Sequence, residues 1–171
     1  IKSFVQTTKE CLEKKPNGVI VVPADIKVTK HFCETMHERK IPFILLDSYI
    51  PDVNPLTFFG QDSFSSGKFA AKMLMLLAAN DKEIMLFKRM KNGKVASRQQ
   101  ENRELGFRHY MNEHFPNVRI AELDVPVEGS PESNEKKLEQ FFSAHPGIRN
   151  CITLGSKAHI VGEFLLKTNR R

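Results

Sequence analysis

Apolar residues along this chain alternate between two spacings. Ile1, Phe4, Val5, Thr8, Cys11 and Leu12 recur at helical intervals and stop at Lys15-Pro16-Asn17-Gly18. That pattern predicts an amphipathic helix closed by Pro and Gly. Residues 18–23 then place four β-branched side chains in a row between Gly18 and Pro23, which predicts a short strand buried on both faces. Val28, Phe32 and Met36 predict a second helix through about Arg39. Residues 41–46 form another continuous apolar strand, ending at Asp47. Residues 51–55 are loop, 57–59 a short strand and 63–79 a helix with Phe64, Ala70, Ala71, Leu74, Leu77 and Ala78 on its apolar side.

The alternation then repeats. Strands are expected at 84–87, 118–125 and 151–154, with helices at 97–114, from 130 onward and at 156–168. Strand–helix alternation with doubly apolar strands defines an α/β fold, with parallel sheets and helices on both faces. The polar stretch around 78–82 marks a boundary between two lobes. In such sheets a ligand sits beyond the carboxyl ends of the strands. The residues there are Asp25; Asp47 and Ser48; Gln61 and Asp62; Lys88 and Arg89; and Gly155 and Ser156. This polar set of both signs suits a hydroxyl-rich ligand, because each buried ligand hydroxyl needs a partner.

Composition narrows the class. Apolar residues make up 40% of 171 and charged residues 27%, the balance of an ordinary globular protein rather than a disordered one. The apolar runs are a handful of residues long, far below the roughly 20 a membrane span needs, so no membrane partner is expected. The chain opens on Ile rather than Met, inside an amphipathic pattern, and is expected to be part of something longer. Its net charge of +6 has one local cluster: Lys88, Arg89, Lys91, Lys94 and Arg98, with no acid between them. The cluster reads either as a solvated loop or as an anion-binding loop. Three cysteines, Cys11, Cys33 and Cys151, without CxxC spacing, read as core thiols rather than a disulfide framework or a zinc site.

Catalytic motifs fail one by one. Ser66-Gly67-Lys68 lacks the earlier Gly of a phosphate loop, since Asp62 stands there, and Phe69 replaces the magnesium-holding hydroxyl. Neither a G-x-S-x-G elbow nor a G-x-G-x-x-G turn occurs. His31 and His37, and His109 and His114, are poorly spaced for a shared metal. The expectation is a binding protein rather than an enzyme, with no metal and no cofactor.

Four stretches together resemble the effector-binding domain of lac-repressor-type (LacI/GalR) transcriptional regulators. They are residues 18–23; residues 41–47 (Ile-Pro-Phe-Ile-Leu-Leu-Asp); Gln61-Asp62 followed by Gly67 and Ala70-Ala71; and Arg103-Glu-Leu-Gly106-Phe107. Residues 152–162 also fall where that family has a strand, an Asn-Asp pair and a helix Gly. The resemblance implies a two-lobed fold of the periplasmic-binding-protein-like type I, truncated at both ends. Residues 1–80 would belong to the N-terminal lobe and 81–171 to the C-terminal lobe. It further implies a small carbohydrate or sugar-derivative effector held between the lobes, modulating DNA binding by an upstream helix-turn-helix. A homodimer, operator DNA bound through a module outside this chain, and a cytoplasmic location follow from the same likeness. A sugar-specific solute-binding or sensor protein of the same fold is the alternative.

The implied ligand residues are Arg103, Asp62, Asp47, Ser156, Gln61, Lys88 and Arg89. Arg103 matches the family's ligand-contacting Arg, whose planar fork of donors suits vicinal hydroxyls or a carboxylate. Its bland alternative is a helix Arg paired with Glu101 or Glu104. Asp62 accepts from ligand hydroxyls, caps the helix from Ser63, or does both. Asp47 also accepts, although Ser48 stands where sugar-binding relatives often carry Arg. Ser156 and Lys157 replace the usual Asn and Asp, and Ser156 reads equally as an N-cap. Gly106 and Phe107 read as packing. Lys88 and Arg89 are expected to face the ligand and favour an anionic one, such as a sugar acid or sugar phosphate.

Overall fold

The computed structural model describes residues 2–78, 80–91, 93–95 and 97–169. The expected helix positions Ile1 and Ala79, and the last residue of the second lobe, Arg171, lie outside the described residues. The chain forms two compact units that divide between Gln61 and Asp62.

The first unit contains α1 (Lys2–Glu13), β1 (Val19–Val21), α2 (Ile26–Glu38), β2 (Phe43–Leu46) and β3 (Phe58–Phe59). Asp25 opens α2, its carboxylate accepting from the Val28 amide at 2.9 Å, which satisfies one of the donors left over at a helix start. The three strands are parallel in the order β1-β2-β3. One face of the sheet buries Val21, Phe43 and Leu45 against Phe32, Cys33 and Met36 of α2. The other face differs from expectation. Ile20 is 66% exposed, and Val22, Leu46 and Phe59 on the same side are exposed as well. These strands are therefore covered on one face, not two, within this unit.

The second unit contains α3 (Ser63–Leu77), β4 (Glu83–Lys91), β5 (Lys94–Val95), α4 (Arg98–His114), β6 (Arg119–Pro126), α5 (Pro131–Ala144), β7 (Cys151–Thr153) and α6 (His159–Lys167). Strand β4 lies between β6 and β7, parallel to both. Its side chains alternate between two cores, as the apolar run at 84–87 predicts. Ile84 and Leu86 pack with Phe107 and Met111 of α4 and Ala71 and Leu74 of α3. Met85 and Phe87 pack with Leu138 and Phe141 of α5 and Phe164 of α6.

Three expectations are corrected here. The boundary foreseen near residue 80 falls at Gln61, because α3 belongs to the second unit through its contact with α4. A Cβ at Gly67 would lie 1.9 Å from the carbonyl oxygen of Arg103, and a Cβ at Gly106 would lie 2.0 Å from that of Phe64. Each glycine admits the other helix's backbone, so the two helices touch main chain to main chain. The basic stretch at 88–98 is not a loop: β4 runs on to Lys91, and β5 returns antiparallel with Met90 opposite Val95. The last helix starts at His159, with Ala158 at its N-cap and no side-chain cap, so the capping role for Ser156 is not realised.

Candidate functional site

The helix after β4 covers one face of the second sheet and the helix after β7 covers the other. The chain thus leaves these two neighbouring strands in opposite directions. Open α/β sheets hold ligands beyond the carboxyl ends of strands that diverge in this way.

Ser97 caps α4 by accepting from the Gln100 amide at 3.2 Å, which fixes the first turn of that helix. Gln100 is buried, and its Oε1 lies 3.2 Å from where a Cβ on Gly155 would stand, so the chain leaving β7 passes close over it. One turn later Arg103, half-buried, donates from Nη1 to the Leu154 carbonyl at 3.2 Å. The guanidinium is thereby oriented at the end of β7, two residues before Ser156. Glu104, one of the two acids in the bland reading of Arg103 beside Glu101, meets Lys88 and Arg108. Gln100 was not foreseen. Its only signal is its place three residues before Arg103, on the same helix face.

Asp62 performs its capping role, accepting from the amide of Ser65 at 3.1 Å and its hydroxyl at 2.7 Å. These hydrogen bonds hold its carboxyl below the usual carboxylate range. Asp47 and Gln61 belong to the first unit. Asp47 closes β2 in the left-handed region, at φ 69°, and its amide donates to the Phe59 carbonyl at 2.8 Å.

Lys88 is a correction. It is 8% exposed, not poised for an anionic ligand, and it is enclosed by carboxylates. Its ammonium meets Glu104 at 3.4 Å, Asp124 at 3.6 Å and Glu122. Arg108 bridges Glu104, at 2.8 Å, and Glu122. Burial alone would lower the Lys88 pKa, but the hydrogen bond to Glu122 and the surrounding negative charge raise it above the ordinary value. Burial would likewise raise Glu122, yet hydrogen bonds from Lys88 and Arg108 hold it below. The five-cation cluster thus loses its first member as an anion-binding group. Arg89, the next residue, faces the opposite side of the sheet and donates to the Val127 carbonyl.

Cys33 is fully buried, and burial followed by the charge of Glu34 pushes its thiol up to about 11. Burial does the same to Cys151, also to about 11, so both stay protonated at neutral pH as core thiols do. Among the described residues, no group of His, Cys, Asp and Glu is placed to hold a metal ion. None of the described helices is long and apolar enough to cross a membrane.

Two largely parallel sheets flanked by helices define an α/β fold with polar side chains at its strand ends. The family model of the periplasmic binding protein domain matches residues 1–171, and the chain belongs to that family. A crystal structure from Bacteroides fragilis, of a protein assigned to the LacI transcriptional regulators, is 44% identical. It superposes with a TM-score of 0.85 over 99% of this chain and 58% of its own. A sugar-binding protein of a Bacillus halodurans sugar ABC transporter has a TM-score of 0.83 at 18% identity, covering 99% of this chain and 57% of its own. A periplasmic sugar-binding protein from Legionella pneumophila has a TM-score of 0.79 at 21% identity, covering 97% and 59%. At those identities the two transport proteins establish the fold alone. The chain spans less than two thirds of the length of each of these structures. No curated protein matches it.

Proposed function

We propose that this chain is the ligand-sensing domain of a LacI-type transcriptional regulator. The observation that carries the reading is the 44% identity over 99% of the chain to a protein assigned to that class, against 18% and 21% for transport proteins covering 99% and 97% of it. The effector is a small carbohydrate or sugar derivative bound at the carboxyl ends of β4 and β7. Arg103 offers a donor fork to its hydroxyls, and Gln100 adds an amide. Operator DNA is read by a module outside this chain, in a cytoplasmic homodimer whose two headpieces meet two half-sites. The effector shifts the DNA-competent form only through its differential affinity for the two forms.

Selection of DNA sites with the full-length protein, followed by a screen of sugars for release, tests this. The expected result is a two-fold-symmetric site released by a sugar, with Arg103→Ala still folded and DNA-bound but no longer released. A released Arg103→Ala variant would remove Arg103 from the effector site. The similarity to two sugar-transport proteins supports a second reading, solute capture outside the cytoplasm. A full-length protein that selects no DNA yet binds sugar would establish it.

A further inference from the structure

Asparagine is chemically labile, most of all ahead of glycine. The nitrogen of the next residue attacks the asparagine side-chain carbonyl, and where that residue is glycine no Cβ crowds the approach. The joint between α1 and β1 carries such a pair, Asn17-Gly18, and both residues are exposed. Among the described residues, neither the Gly18 amide nor the Asn17 side chain takes part in a hydrogen bond. The nucleophile is thus unspent, the electrophile is untethered, and water reaches both.

Asparagines elsewhere in the fold show what this combination requires. Asn54 precedes Pro55, whose nitrogen has no hydrogen to give up. Asn80 and Asn117 are followed by amides already committed. The Asp81 amide donates to the Ala78 carbonyl at 2.9 Å, and the Val118 amide to the Phe115 carbonyl at 3.1 Å. Asn150 is tethered through its Nδ2, which donates to the Asp81 carboxylate at 2.7 Å. Asn134 is buried inside α5, where each amide is bonded within the helix. The sequence has a second such pair at 92–93, and its Asn92 lies outside the described residues.

We propose that Asn17 is a site of spontaneous modification, converted within the folded protein to isoaspartate and aspartate. The Gly18 nitrogen bonds to Asn17 Cγ and gives up its proton, the Cγ–Nδ2 bond breaks, and ammonia carries that proton away. A five-membered succinimide remains. Water then opens the ring at either of its carbonyls. One water is consumed and one ammonia released, and nothing is oxidised. Opening at the main-chain carbonyl gives isoaspartate, whose backbone runs through the former side chain and is one methylene longer. The lengthened link stands just ahead of the Val19 amide, which donates to the Pro42 carbonyl at 3.0 Å where the β1–β2 pairing begins. Both products also bring a carboxylate close in sequence to Lys14 and Lys15. The site does not depend on the regulator reading, because neither effector nor DNA enters it.

Peptide mapping by mass spectrometry tests the site, on full-length protein aged in mildly alkaline heavy-oxygen water. In the folded protein Asn17 is expected to take up heavy oxygen, in two chromatographic forms, ahead of Asn80 and Asn117. Protein unfolded in urea is the comparison. Asn17 reacts at a similar rate with and without the fold, whereas Asn80 and Asn117 speed up once the amides that follow them are released. Gly18→Ala adds a Cβ 3.5 Å from the Pro42 carbonyl, an ordinary contact, so that variant keeps the fold. It slows Asn17 at least roughly tenfold, a barrier higher by about 1.4 kcal/mol. The peptide containing Asn92 is read separately. Three results overturn the proposal: Asn17 stays intact in the folded protein, or is protected there roughly tenfold relative to urea; Asn80 or Asn117 reacts first in the folded protein; or Gly18→Ala leaves the rate unchanged.

Discussion

Lys88 shows how one side chain can be visible in a sequence and misread there. Its charge is plain, but the carboxylates that neutralise it come from Glu104 and Glu122, 16 and 34 residues away. A linear pattern shows the cluster of cations and not the acids folded onto it. Once buried, the group acts on stability. Lys88→Met would leave Glu104 and Glu122 crowded with one cation fewer, and a cost of about 3–5 kcal/mol in urea unfolding is expected. The network also sets a pH window. Glu122 is depressed in the folded state, so its contribution is present above the ordinary carboxylate pKa of about 4.3 and fades as pH falls through its lower folded value. Lys88 is raised, so its share is present below about 10.4 and fades as pH rises through its higher folded value. Urea midpoints measured across pH should therefore hold level between these limits, and Glu122→Gln should flatten the acid side.

Among the elements, helices α3 and α4 were legible one at a time. Spacing of Leu74, Ala71 and Ala70 in one, and of Phe107 and Met111 in the other, gives the apolar faces. Their pairing was not legible, because a glycine in a helix signals weakness as readily as a contact. The structure separates these meanings. Gly67→Ala and Gly106→Ala place a methyl against a carbonyl of the facing helix, and each should cost about 3 kcal/mol as the helices are forced apart. Gly162 in α6 has nothing within 4 Å of a Cβ, so Gly162→Ala should stabilise by about 0.5–1 kcal/mol. Thermal melts of the three variants would show two losses and one gain. The β4–β5 hairpin escaped notice for a different reason. Lys, Arg and Met at its positions carry no apolar alternation, and its tight return rests on Gly93 at φ 72°.

For the molecule as a whole, strand–helix alternation was enough to give the α/β class, since it depends only on element order. Where one unit stops and the next begins depends on which sheet a helix covers, and that information is absent from element order. The division at Gln61 has a consequence for folding. The second unit covers both faces of its sheet with its own helices, whereas the first leaves Ile20, Leu46 and Phe59 bare. Residues 62–171 produced alone should melt cooperatively by circular dichroism, while residues 2–61 alone should bind an apolar dye and show no sharp transition. The reciprocal glycine contact carries a last implication, for tracing descent. Gly67 and Gly106 belong to the very motifs by which this chain is recognised, yet they report how two backbones meet and not what the protein captures. Two proteins sharing both can have unrelated diets. Kinship is written in those glycines; appetite is not.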